Sequence, residues 1–299
     1  MATRIGDLAH SLRLRTSLAA TQGRLREEQL AVASGKAATR YDRIAEAAGE
    51  LVRAKDAREL KATYIDQTER LTNRLQVADT ALAGIADIAD RARTLLVQRL
   101  DGNLGDAVPL DTEIDAMLQE IEAALNTRLD RQYLFAGSRT DVRPVSLPAT
   151  PITTADPTLY FHGDDHQLSI RADTGLEVGY GITADDPAFA ELIAALGQAH
   201  AAHQADDRAG LQGAMTALGG SMDGLGDLRA ELGARTARLE SITEGHRSAI
   251  LYLDEIVSGI EDADLADVLT RIASDQASVE AAYTVTGRLA SLSLADYLR

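Results

Sequence analysis

The residues best suited to chemistry in this chain lie in one short stretch, His162-Gly163-Asp164-Asp165-His166. Its paired imidazoles and carboxylates are suitable ligands for zinc or copper. The same residues also spell a polar Gly-Asp hairpin turn between two strands, and the flanking sequence favours that reading. Asp185-Asp186 and Asp206-Asp207 look like a helix cap and a solvated helix end, not a catalytic carboxylate pair. His200 and His203 share a helical face that is expected to be solvated. Gly163, Gly175, Gly179 and Gly181 match neither nucleotide-binding fingerprint in a strand–turn–helix setting. Ser, His and Asp are all present, yet no Gly-x-Ser-x-Gly elbow exists. The chain has no Cys, which removes thiolate zinc sites, cysteine nucleophiles and disulfides. No catalytic residue, cofactor or metal site is therefore expected, and an enzyme is the weakest reading.

The elements around these residues are mostly helical. The 299 residues are 45% hydrophobic but only 4% aromatic, with no Trp. Ala and Leu must then supply most of the apolar surface, which suits helix–helix seams better than a wide globular core. A formal net charge of -16 argues against nucleic acid as a partner and disfavours a membrane surface. No stretch approaches the roughly 18 apolar residues that span a bilayer, so membrane insertion is not expected. Met1 to His10 has no apolar run and does not read as a secretory signal peptide.

Four segments carry apolar residues at alternating steps of three and four, the mark of a helix with one seam. The first is Leu14, Leu18, Thr21, Leu25, Glu28, Val32, with polar residues at two positions. The second is Tyr64, Thr68, Leu71, Leu75, Ala78, Leu82, Ile85, Ala89, Ala92, Leu96, inside one helix from about Ala45 to Leu100. The third runs from Leu211, Met215, Leu218, Met222 and Leu225 through Leu232 and Leu239 to Ile250, Leu253, Val257 and Ile260, its two Met packing in the core. The fourth is Leu265, Leu269, Ile272, Gln276, Val279, Tyr283, Thr286, Ala290, where Gln276 and Thr286 are either weak packing or register-setting devices. The period is close to 3.5, so coiled-coil packing is expected. A shorter helix with the stripe Ile114, Leu118, Ile121, Leu125 follows a break at Asp101-Gly102-Asn103 and Pro109, and Thr112 with Asp115 predicts its capping box.

The middle of the chain differs. It holds Pro144, Pro148, Pro151 and Pro157, with Pro187 at its far edge. Strands are expected at Leu159 to Phe161, Gln167 to Arg171 and Leu176 to Tyr180. Asp186 then caps a restarting helix with Pro187 at its first position. The predicted fold is mainly α: a long antiparallel coiled-coil rod formed by both chain ends, with a small β-rich domain inserted in the middle. Its segments are an N-terminal assembly helix (1–43), a first half of the rod (44–136), the β insert (137–186), a second half (187–259) and a C-terminal assembly helix (260–299). Charge supports pairing of the two ends. Residues 1–40 hold seven Lys/Arg against three acids, and residues 260–299 hold seven acids against three Arg. Opposite signs favour this partner choice, within one chain or between copies.

With this arrangement in view, the chain resembles the bacterial flagellin family over nearly its whole length, and within it the branch that joins hook to filament. Leu25 to Lys36, ending Ala33-Ser34-Gly35-Lys36, is similar to the family's turn after its terminal helix. Gln132-Tyr133-Leu134-Phe135-Ala136-Gly137-Ser138-Arg139-Thr140 resembles the branch's passage from rod helix to variable domain, and its Phe-Ala-Gly is the most specific of these matches. Tyr160-Phe161-His162-Gly163-Asp164 is similar to the hairpin opening the β domain. Asp264 to Val268, Glu280 to Tyr283 and Ser291 to Leu294 resemble the C-terminal helix. The family's Asn-rich first helix is here Arg- and Leu-rich, and Ala37-Ala38-Thr39-Arg40-Tyr41 replaces its usual Asp-Asp-Pro segment.

The resemblance implies a non-catalytic structural subunit outside the cell, exported without a cleaved signal peptide. Its implied partners are a neighbouring hook-associated protein, flagellin and further copies of itself, with a type III export chaperone and the export gate on the way out. The expected assembly interface comprises Leu14, Leu18, Leu25, Val32, Leu265, Leu269, Ile272, Gln276, Val279, Tyr283, Leu292 and Leu294. The terminal helices are expected to be disordered until neighbours complete the bundle. A divergent flagellin of the filament is the second reading, and a soluble coiled-coil signalling or scaffold module the third.

Overall fold

In the computed structural model, backbone is described for residues 2–37, 45–101 and 109–297, and side chains for 12–37, 47–101 and 109–288. The chain is mainly α, with six helices among the described residues. They are α1 (Ala2–Ser34), α2 (Ala45–Leu100), α3 (Leu110–Leu125), α4 (Pro187–Gln204), α5 (Arg208–Glu261) and α6 (Leu265–Tyr297). Between α3 and α4 lie β1 (Arg128–Leu129), β2 (Gln132–Tyr133), β3 (Leu168–Asp173) and β4 (Leu176–Tyr180), paired as two antiparallel hairpins. The expected break after Asp101 falls at residues 102–108, outside the described ones.

The chain divides into two compact units. One combines Met1–Glu59 with Ala249–Arg299, and the other is Leu60–Ser248.

The Leu60–Ser248 unit holds the core. All ten positions of the second sequence seam, from Tyr64 to Leu96, are buried on α2. They face Leu211, Ala214, Leu218, Ser221, Leu225, Leu232 and Leu239 of α5, while Met215 and Met222 are only half-buried beside the small Ala214 and Ser221. The two helices run antiparallel, as the Asp79–Arg229 pair at 3.0 Å and the Glu69–Arg247 pair at 2.6 Å require. Near one end the apolar seam turns polar, where the Thr68 and Thr243 hydroxyls share a buried hydrogen bond of 2.8 Å. α3 adds Ile114, Met117, Leu118, Ile121 and Leu125 to this core, and α4 is buried on nearly every face, from Phe189 to Ala202.

Several local expectations are corrected. α3 starts at Leu110, two residues before the predicted Thr112 cap, and has no side-chain cap. Leu110 is buried, so core packing sets the start, with Asp111 and Glu113 placing negative charge in the first turn. Leu159 to Phe161 is not a strand. Asp156 accepts from the Thr158 N–H and Pro157 follows, which makes Pro157–Leu159 a 3-10 turn, and Phe161 keeps only an isolated bridge to Val145. The other two strands and the Asp186–Pro187 cap are present, the Asp186 carboxylate accepting from the Ala188 N–H at 2.9 Å. His200 and His203 are half-buried, not solvated: Arg99 Nε donates to His203 Nδ1 at 2.8 Å, and His200 lies 3.7 Å from Asp111. Asp207 caps α5 through the Ala209 N–H, as a helix-end aspartate should.

The unit of chain ends is thinner. α1 and α6 pack along each other, and the ends of α2 and α5 are joined by Lys55–Glu261 and Arg58–Asp254 ion pairs.

Candidate assembly site

α1 ends where its sequence demands. Gly35 adopts φ +69, the left-handed conformation that closes helices and suits glycine. The chain then turns so that Lys36 bridges Asp262. The Ala37 N–H donates to the Glu261 carbonyl at 2.7 Å, and the Ala263 N–H donates to the Gly35 carbonyl at 2.9 Å. Lys36 Nζ adds contacts of 2.7 Å to Asp262 and 3.4 Å to Glu261. The Lys36 bond holds the Asp262 carboxyl below the usual carboxylate range, and Lys55 followed by Lys36 does the same for Glu261. Two C-terminal acids therefore staple the exit of the N-terminal helix, and Asp264 immediately caps α6 by accepting from Ala266 and Asp267.

From that staple the two helices run antiparallel. Arg24 meets Asp275 at 3.1 Å, and Gln22 Nε2 donates to the Tyr283 hydroxyl at 2.7 Å. The opposite charges of the two ends thus meet within one chain. Leu14, Leu18, Leu25 and Val32 of α1 are half-buried, and so are Ile272 and Val279 of α6. Leu265, Leu269 and Tyr283 are 47, 54 and 55% exposed, and Gln276 is exposed too. Leu292 and Leu294 lie beyond the described side chains. The residues of α6 turned to α1 are Val268, Ile272, Asp275, Val279 and Ala282. Sequence reasoning missed Val268, the most buried of them at 4% exposed, because it sits one step beside the stripe of Leu and Tyr.

In the other unit, two of the passages that carry the family resemblance lock together. Gly137 has φ +69, and its Cα lies so close to Asp164 that an added Cβ would stand 2.1 Å from the Asp164 carbonyl oxygen. The Asp164 N–H donates to the Ala136 carbonyl at 3.2 Å. Its carboxylate accepts from the Ser138 N–H at 2.7 Å, the Ser138 hydroxyl at 2.6 Å and the His166 N–H at 3.2 Å. These Ser138 donors hold the Asp164 carboxyl below the usual range. Gly163 is equally confined, since a Cβ there would meet the Phe161 ring at 2.5 Å and the Ala136 carbonyl at 2.6 Å. Beneath them Phe135 and Phe189 pack edge to face at 6.2 Å, and the buried Tyr160 hydroxyl donates to the Ala184 carbonyl at 2.9 Å. Burial pushes the Tyr160 phenol well up. Asp164 therefore serves as a joint between loops. Among the described residues, no group of three or more His, Asp or Glu side chains is gathered as a metal would need.

The family model for the bacterial flagellin N-terminal helical region matches residues 5–140, and that for the flagellin C-terminal helical region matches residues 215–298. The chain belongs to the bacterial flagellin family. A structural role in the flagellum, an extracellular assembly, follows from that membership. No curated protein matches this flagellin-family chain in sequence. Three solved structures share its fold. A Vibrio parahaemolyticus protein assigned as a flagellar hook-associated protein is 18% identical, with a TM-score of 0.58 over 72% of this chain and 97% of that one. Xanthomonas campestris FlgL is 14% identical, with a TM-score of 0.54 over 69% of this chain and 99% of that one. The flagellar junction protein FlgL from Legionella pneumophila is 13% identical, with a TM-score of 0.53 over 71% of this chain and 99% of that one. Among the described residues no helix is long and apolar enough to cross a membrane.

Proposed function

We propose that this flagellin-family chain is the subunit that joins hook to filament, and that its terminal helices finish folding only as neighbours pack on them. The observation that carries the reading is the divided use of the chain ends. One face of α6 is taken by α1, while Leu265, Leu269 and Gln276 stay uncovered and Tyr283 gives α1 its hydroxyl but leaves most of its surface exposed. Those four form the inter-subunit half of the interface; Leu14, Leu18, Leu25, Val32, Ile272 and Val279 form the half that closes within the chain. The Phe-Ala-Gly joint and the fold shared with hook-associated proteins favour the junction over the filament.

Coupled folding is supported by how little the pair buries. Among the described residues only Thr21 and Ala31 of α1 and Val268 of α6 are buried. Ordering a residue costs roughly 1–2 kcal/mol of backbone entropy, which so thin a seam does not offset. One Glu28 carboxylate oxygen is also buried there with no hydrogen-bond partner among the described residues, a further cost. The partners in this reading are a neighbouring hook-associated protein, flagellin and further copies of the chain, with an export chaperone and the type III gate acting before assembly.

Immunogold labelling of isolated flagella tests the location. Label confined to the hook–filament boundary is expected, and label along the whole shaft would make the chain a filament flagellin. Amide exchange on the dilute monomer tests the folding step. Residues 12–34 and 265–288 should exchange far faster than α3, and firm protection of both would overturn it.

A further inference from the structure

An isolated two-stranded hairpin is unstable in water, so the β3–β4 hairpin needs an outside anchor. Within it only Ala172 and Val178 are buried. The ladder pairs Arg171 with Glu177 and then Asp173 with Leu176, so Ala172 is a bulged residue without a cross-strand partner. A bulge re-aims the backbone of the strand it interrupts. Here it turns the Ala172 carbonyl toward α5, where His246 Nε2 reaches it at 2.7 Å. A carbonyl only accepts, so this bond requires the proton on Nε2.

His246 is held for that task. It is 3% exposed and stacks on Tyr64 of α2 with ring centroids 5.6 Å apart. One turn away, Lys61 of the same helix stands 5.8 Å over the Tyr64 ring and bonds Asp173, the next strand residue, at 2.7 Å. That bond keeps the Asp173 carboxyl below its usual range. Two helices thus grip two successive residues at the tip of one hairpin.

We propose that His246 is a clasp: as the Nε2–H tautomer it fixes the docking of the β3–β4 hairpin on the α2–α5 pair, with Lys61 as the second finger. The bulge at Ala172 is the catch. Releasing the clasp frees the hairpin locally and leaves the helical core folded, which makes hairpin docking an adjustable feature of the unit's surface.

The test uses the full-length chain and three variants. His246→Phe keeps the ring and removes the donor. His246→Gln keeps an N–H donor, and Lys61→Met removes only the outer bond. Amide exchange across Leu168–Tyr180 should accelerate about tenfold or more in His246→Phe while α3 amides are unchanged, and His246→Gln should restore most of the protection. Lys61→Met should give a smaller acceleration confined to the same hairpin. Unchanged hairpin exchange in His246→Phe, equal acceleration in α3, or no rescue by Gln would overturn the proposal. In the wild-type chain, nitrogen-15 spectra at neutral pH should show a slowly exchanging His246 Nε2 proton. An imidazole carrying its proton on Nδ1 alone would overturn it without any variant.

Discussion

Gly137 and Asp164 touch backbone to backbone: a methyl group on the glycine would fall 2.1 Å from the aspartate carbonyl oxygen. The loop leaving the helical core and the loop opening the β insert are thereby fitted to each other, with Ser138 closing the joint by two hydrogen bonds to the Asp164 carboxylate. Gly137→Ala meets both this contact and a left-handed φ of +69. The expected loss is about 2 kcal/mol or more, read as a fall in the melting temperature of the purified chain. A melting curve within a degree of wild type would show that the joint yields freely.

Thr68 and Thr243 test whether the polar layer in the α2–α5 seam stabilises or specifies. Thr68 also donates locally toward the Tyr64 carbonyl at 2.9 Å, so Thr243→Val leaves it a partner. Thr68→Val strands the Thr243 hydroxyl and should cost about 1–2 kcal/mol. The double Val variant should cost less than Thr68→Val alone, because no buried hydroxyl is then left unmatched. Denaturant unfolding of the three variants measures this, and strictly additive losses would count against a shared bond.

The staple between Lys36 and the Glu261–Asp262 pair predicts a pH window. Both carboxyls are depressed in the fold, so their contribution is complete above the ordinary carboxylate range near about 4 and is lost as pH falls through and below it. Lys36 is raised, so its share is present below about 10.4 and lost above. Backbone shifts of Ala37 and Ala263 should therefore be constant across neutral pH and move in acid. In Lys36→Met the Glu261 and Asp262 carboxyls should titrate closer to ordinary values. Titration curves that ignore that substitution would sink the assignment.

The uncovered face of α6 predicts a separation of stability from assembly. Leu269→Asp places charge on a side chain that is already 54% exposed, so monomer melting should shift by no more than about 0.5 kcal/mol. Incorporation into flagella should be lost. Val268→Asp attacks the α1-facing side instead and should weaken the helix pair itself. Normal incorporation of Leu269→Asp would place the inter-subunit contact elsewhere.

How much of this could be read from residues alone depended on how fully each seam is buried. Every predicted α2 seam position is buried, since two partners, α5 and the α3–α4 layer, press on one regular stripe. On α6 the same spacing is divided: Ile272 and Val279 turn toward α1, whereas Leu265, Leu269 and Gln276 stay exposed. Among the described residues α6 packs on α1, which takes Val268 and leaves Leu265 and Leu269 outside. The β1–β2 turn passed unnoticed because Asp130 and Arg131, at φ 51 and 66, lack the Asn-Gly signature such turns usually carry. His162 to His166 offered ligand chemistry by type, yet Asp164 is claimed by Ser138, a partner 26 residues away that no local pattern announces.

The antiparallel run of α1 and α6 also has a practical side. Because Lys36 meets Asp262 and Gln22 meets Tyr283, the helix beginning at Ala2 and the helix finishing at Tyr297 reach the same end of their pair. A fluorescent tag or affinity handle fused to either terminus would crowd one neighbourhood, the one the proposed polymerisation uses.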